Sequence, residues 1–99
     1  MPEMQFAVRW PDGTDASYYS PSLVVHDFLD AGSVYPVDEF VRRATEALDI
    51  ASERVRAKYG FACTSAMHTQ ESIALAATRN PLGDVTVTAL EPPREGAPA

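Results

Sequence analysis

The sequence has one cysteine, Cys63, among its 99 residues, so no disulfide can close within the chain, which agrees with a reducing compartment. It has no run approaching the 18 or so continuous apolar residues that a membrane span needs. The opening residues, Met1 to Gln5, have neither a basic start nor an apolar stretch, so no secretory signal is read and the cytoplasm is the expected location. Positive charge is scarce: 8 basic against 14 acidic residues give a net charge of −6 and a pI near 4.7. That balance argues against general nucleic-acid binding, which relies on clustered Lys and Arg against phosphates. The chain also lacks a Gly-rich phosphate loop, a nucleophile elbow and a His-Glu metalloprotease signature. One cysteine and two separated histidines do not make the four-ligand set of a structural zinc site. No metal, no cofactor and no catalytic residue are therefore expected, and an enzymatic role is not favoured.

What is present is ordinary globular material, with 45% apolar and 22% charged residues, and a length suited to a single domain over residues 1–90. Met4, Phe6, Val8 and Trp10 alternate with polar or small residues, the period-two pattern of a strand with one buried face. Pro11-Asp12-Gly13 is a turn, and Thr14 to Ser20 reads as the return strand of a hairpin at a sheet edge. Ser20 and Pro21 would cap and open a short helix through Leu29, although Leu23-Val24-Val25 reads equally well as extended, and Asp30 to Ser33 reads as a turn.

Pro36 is placed at the first position of a long helix, Val37 to Tyr59. There Val37, Phe40, Val41, Ala44, Leu48, Ala51, Val55 and Tyr59 form one apolar stripe. Asp38 and Glu39 at its start and Arg54, Arg56 and Lys58 at its end complement the helix dipole, and Gly60 can take the left-handed conformation that ends it. At about 1.5 Å per residue such a helix could overhang a small core. Ala47 and Ile50, off the main stripe, then suggest a homodimer. A second helix is expected over Thr64 to Thr78, a turn at Asn80 to Asp84, and a last strand over Val85 to Leu90. Residues 91–99 read as a loose tail.

The order β, β, helices, β is an α+β arrangement. It predicts a small three-stranded sheet made of the hairpin plus the C-terminal strand, in the order 2-1-3. With the last strand parallel to the first, a right-handed crossover puts two or three helices on one face. The sheet's edges and its uncovered face also favour self-association.

Cys63 is the residue with the best claim to reactivity, because a thiol at a helix start can be activated by the dipole and exposed amides; equally, it can serve as a small packed hydrophobe. Tyr59, Gly60, Phe61 and Cys63 form the candidate functional corner, with His26, His68 and Arg54 as weaker candidates. A Cys63/His68 pairing can be drawn, but nothing in the spacing selects it.

The block Ala51-Ser52-Glu53-Arg54-Val55-Arg56-Ala57-Lys58-Tyr59-Gly60-Phe61-Ala62-Cys63 resembles a family of small bacterial proteins of the nitrogen-starvation response. Arg9-Trp10-Pro11-Asp12-Gly13, Tyr19-Ser20-Pro21-Ser22 and Tyr35-Pro36 before Phe40 add to the resemblance, which spans Met4 to Leu90. The resemblance implies a companion of a nitrilase-centred gene cluster for nitrile or cyanide nitrogen, and brings no catalytic residues with it. A non-enzymatic accessory or interaction protein of nitrogen limitation is the expected function, as a homodimer with a possible protein partner from that cluster. The alternative is a small metabolite-binding protein or enzyme using Cys63 in a cleft.

Overall fold

The computed structural model describes residues 2–61 and 64–93. The hairpin is formed by β1, Met4–Arg9, and β2, Asp15–Ser20. A short 3-10 helix, Leu23–Asp27, and a three-residue strand β3, Val34–Pro36, follow. Then come α1, Val37–Tyr59, α2, Thr64–Arg79, and β4, Asp84–Glu91. The sheet has four strands in the order β2-β1-β4-β3, every neighbouring pair antiparallel.

Two features of this sheet correct the sequence expectation. The hairpin and the last strand are neighbours in the expected order, but β4 runs antiparallel to β1. The reason is the added strand β3: β2, α1 and α2 alone would be three traverses between β1 and β4 and would leave the two parallel, whereas β2, β3, α1 and α2 make four, an even number, and turn β4 antiparallel to β1. The second correction is β3, which pairs Val34 with Thr86, Tyr35 with Val85 and Pro36 with Asp84 where a turn and helix start were read. Pro36 is thus the last residue of a strand and the N-cap of α1, one position ahead of the place expected for it.

The two flat layers give overall extents of 38 × 33 × 17 Å. Met4, Phe6 and Val8 from β1 and Trp10 just after it bury against Phe40, Ala44, Leu48 and Ala51 from α1, with Ala66 and Ile73 from α2, Val24 and Val25 from the 3-10 helix and Leu29 after it. In β4 the inward residues are Val85, Val87 and Leu90. Strict alternation would have turned Ala89 inward, but the register shifts between Ala7 and Val8, which pair with Ala89 and Val87. The extra residue, Thr88, forms a bulge that brings the larger Leu90 into the core.

Ala47 is fully buried, whereas Ile50 is partly exposed, so Ala47 offers no dimer contact and the stripe is wider than expected. The last turn of α1, Arg56 to Tyr59, does stand exposed beyond the final buried residue, Val55, so Tyr59 shares the spacing of the apolar stripe but lies past the end of the core that the stripe covers. Ser22, not Ser20, caps the 3-10 helix by accepting from Val24 N at 3.3 Å; the Ser20 hydroxyl lies one step earlier, where it accepts from Ser22 N at 3.3 Å and donates to Ser22 O at 2.8 Å. Glu91 belongs to β4 and not to a loose tail; residues 94–99 lie outside the described part. Among the described residues no helix is long and apolar enough to cross a membrane.

Charge on α1 is arranged locally. Glu39 accepts from Arg42 Nη2 at 2.6 Å and from Arg43 Nε at 2.9 Å, and these partners, Arg42 first, hold its carboxyl below the usual glutamate value. Arg43 also donates to Phe28 O at 3.0 Å and lies 5.0 Å from the Tyr35 ring centre, so it ties the start of α1 to β3 and to the segment before it.

Candidate functional corner at the end of the long helix

The helix α1 ends as its sequence requires. Gly60 has φ 81°, the left-handed conformation, and its amide donates to Arg56 O at 2.8 Å. A side chain at this φ is disfavoured, and the sharp reversal throws the next residue clear of the helix. Phe61 consequently stands 69% exposed, and Tyr59, on the helix turn beyond the core, 51%, with ring centres 6.4 Å apart and planes tilted by 38°. Lys58 Nζ lies 5.7 Å from the Tyr59 ring centre, and Arg56 is exposed one turn back. Within an acidic chain the corner is therefore an aromatic pair flanked by positive charge.

Arg54 serves the scaffold. Its Nη1 donates to Ser22 Oγ at 3.1 Å, tying the last turns of α1 to the cap of the 3-10 helix. His26 is buried and its Nε2 lies 3.0 Å from Pro92 O, a tie between the 3-10 helix and the residues after β4. His68 is exposed on α2 and joins Tyr19, Thr64, Ser65, Thr69 and Glu71 around an open concavity of about 600 Å³. The structure thus separates His26, His68 and Arg54 into different roles; of the described candidates only Tyr59, Gly60 and Phe61 form the corner. Cys63 lies outside the described residues. No group of three or more His, Cys, Asp or Glu suited to a metal ion occurs among the described residues.

A second surface went unread in the sequence. Along the edge of β2, Ala16 and Tyr18 meet Ser72, Leu75, Ala76 and Arg79 of α2 across a groove of about 270 Å³. Leu75 is 60% exposed. Its signal was its place on α2: it lies off the buried line of Ala66, Thr69 and Ile73, about 160° around the helix from Ile73 when 3.6 residues make a turn.

The chain matches the family model described as nitrogen starvation-induced protein NitG over residues 5–90. It belongs to that family. The match runs from β1 into β4 and takes in every element of the sheet and both helices, so the family relationship holds for the fold as a whole and not for one motif. No match was found among curated proteins or solved structures.

Proposed function

We propose that the chain is a non-enzymatic accessory protein of the nitrogen-starvation response that works by binding other proteins, and that it does so as a homodimer. The observation that carries this reading is the exposure of the Tyr59 and Phe61 pair beside Lys58. Aromatic and basic side chains are the residues that concentrate binding energy at protein interfaces. A domain of this size gains nothing in its own core from two rings left in water. The neighbouring positive charge fits a partner surface of acidic character. Membership of the family supplies the nitrogen-starvation setting, and a partner from a nitrilase-centred cluster is the form of it that the resemblance implies.

The test compares wild type with a Tyr59→Ser, Phe61→Ser double variant. In tagged purification from nitrogen-starved cells, a partner retained by the wild type is expected to be lost from the double variant. Urea unfolding should shift little, within about 0.5 kcal/mol per exposed site. Equal retention by both proteins would remove the corner from the interface.

One observation favours a second reading, a small-molecule site. The concavity lined by Tyr19, His68 and Glu71 starts at Thr64, the residue after Cys63. The two readings separate on the thiol. Under the accessory reading, native Cys63 alkylates with a pKa no lower than the ordinary value of about 8.5. Rapid labelling well below that pH, slowed by His68→Ala, would favour the small-molecule site.

A further inference from the structure

We infer that β2 is the self-association edge of this protein: two copies pair their β2 strands antiparallel about a two-fold axis at Ala16, joining two four-stranded sheets into one of eight strands. The inference deepens the homodimer part of the proposed function by naming the surface.

The argument begins with the two ends of the sheet, which are built differently. The β3 edge is three residues long and ends in Pro36, which has no amide to donate; short length and proline are the usual means of closing an edge to pairing. The β2 edge has neither defence. It is six residues long, contains no proline or lysine, and runs in unbroken register with β1.

Hydrogen-bond parity shows which groups it offers. Trp10 N donates to Thr14 O at 2.9 Å, so Trp10 and Thr14 form a hydrogen-bonded pair. With the register of this hairpin, Ala16 and Tyr18 bond to β1, whereas Asp15, Ser17 and Tyr19 turn their backbone groups outward. The outward direction at Tyr19 is verified by its carbonyl, which accepts from Thr69 Oγ1 at 2.8 Å. The backbone groups of Asp15 and Ser17 have no partner among the described residues.

Those two residues flank Ala16 symmetrically, and this makes the edge complementary to itself. In an antiparallel pairing centred on Ala16, Asp15 exchanges two backbone bonds with Ser17 of the second copy, and Ser17 does the same with Asp15, the reciprocal contact of an isologous interface. A pairing centred on Ser17 would engage Tyr19, where Thr69 has already taken a carbonyl site. The cover over Tyr19 thus selects the register.

Side chains agree with the axis. Facing residues of a non-hydrogen-bonded pair approach to about 4.5 Å between Cα atoms, and at the axis that residue is alanine. On the helix side, Leu75 borders the groove beside Ala16, so the two-fold brings two exposed leucines to the same side of the joined sheet. On the other side, each Asp15 carboxylate is already bonded to its own Arg9 Nε at 2.8 Å, which offsets the repulsion of two acids near the axis.

The full chain is tested by size-exclusion chromatography with light scattering, together with two kinds of variant. Ser17→Pro removes only an outward amide, so the hairpin keeps its own bonds; the wild type is expected to run at twice the 10.8 kDa chain mass and the variant at the single-chain mass. Independently of whether that variant folds, Ala16→Cys in a Cys63→Ser background is expected to cross-link into a covalent dimer under mild oxidation. Ser17→Cys should not, because its symmetry mate lies on the diagonal beyond the ~7 Å reach of a disulfide.

A dimer unchanged by Ser17→Pro, with no cross-link at Ala16→Cys, overturns the inference. A dimer abolished by Phe61→Ser overturns it too, by moving self-association to the aromatic corner. A monomeric wild type that still retains a partner through that corner also overturns it, and leaves the partner-binding part of the proposed function standing.

Discussion

Replacement of Phe40 by alanine is expected to lower stability by about 3–5 kcal/mol. Phe40 is fully buried on the sheet-facing side of α1 and meets Trp10 edge to face, with ring centres 5.5 Å apart and an interplanar angle of 86°. Trp10 in turn is fixed by its indole Nε1, which donates to Tyr18 OH at 3.0 Å. Burial pushes the Tyr18 hydroxyl above its ordinary pKa, with the Trp10 hydrogen bond acting the other way. Removing the Phe40 ring therefore opens a void next to a side chain whose position is set by its own hydrogen bond and which cannot simply collapse inward. An aromatic contact of this geometry adds about 0.5–1.5 kcal/mol to the burial itself. Against a total of about 5–15 kcal/mol for a typical domain, the variant loses a large share of its stability, and its Tm should fall by on the order of 20 °C. Urea unfolding at neutral pH measures this directly. A loss below about 1 kcal/mol would mean that the Phe40–Trp10 contact is not at the centre of the core. Val41→Ala, at a half-buried neighbour, is the companion that should cost much less.

The second large effect is expected at Gly83. This residue has φ +110°, and a Cβ built on it would lie 2.8 Å from Pro11 Cβ and 3.0 Å from Pro11 Cγ. Two costs combine in Gly83→Ala: about 1–3 kcal/mol for a backbone conformation that side chains rarely adopt, and about 1–3 kcal/mol for a contact that must be relieved by movement. Pro11 is poorly placed to yield. Its turn is closed by Gly13 N donating to Trp10 O at 2.9 Å, and it is tied to the end of α2 by Asp12 N donating to Asn80 Oδ1 at 3.1 Å. Gly83 cannot retreat freely either, because its carbonyl accepts from Val37 N, the first residue of α1, at 3.1 Å. Gly13→Ala is the control. Gly13 also has positive φ, but a Cβ there would meet nothing within 4 Å, so it should show the backbone cost alone. Equal destabilisation of the two variants would contradict the close approach of Gly83 to Pro11.

Much of this architecture can be read from residue pattern, and the parts that cannot have identifiable physical causes. The limits of α1 were legible because a continuous apolar stripe, acids in the first turn and Gly60 at the end all point to the same segment. The hairpin was legible because Pro11, Asp12 and Gly13 separate two alternating runs. The strand β3 was not: three residues give no period, and Pro36 is equally at home closing an edge strand or opening a helix. The direction of β4 escaped together with β3, because that unread strand adds one traverse to the path from β1 to β4 and so reverses the last strand, a property of the whole path and not of any residue in β4. In the corner, exposure of Phe61 follows from Gly60, whose role was read, but Tyr59 falls at the spacing of the apolar stripe, and that spacing does not show that the helix runs past the end of the core. The groove beside Leu75 was hidden because small residues on either side of it, Ala74 and Ala76, suit a buried and an exposed helix face equally.

The Asp12 to Asn80 bond joins residues 68 positions apart, and the central strand pair, β1 with β4, spans a comparable separation. Folding must therefore close nearly the whole length of the domain before its middle strands can meet, and such non-local contacts slow the search. During synthesis β1 is made first, yet the edge it turns away from β2 waits for the last strand to pair with it. Until β4 emerges, the nascent chain presents a hairpin with an unpaired central edge and a core that lacks Val85, Val87 and Leu90. Substitutions in β4 that leave final stability unchanged can then still lower the yield of folded protein in the cell, by prolonging the interval in which that hairpin is bare.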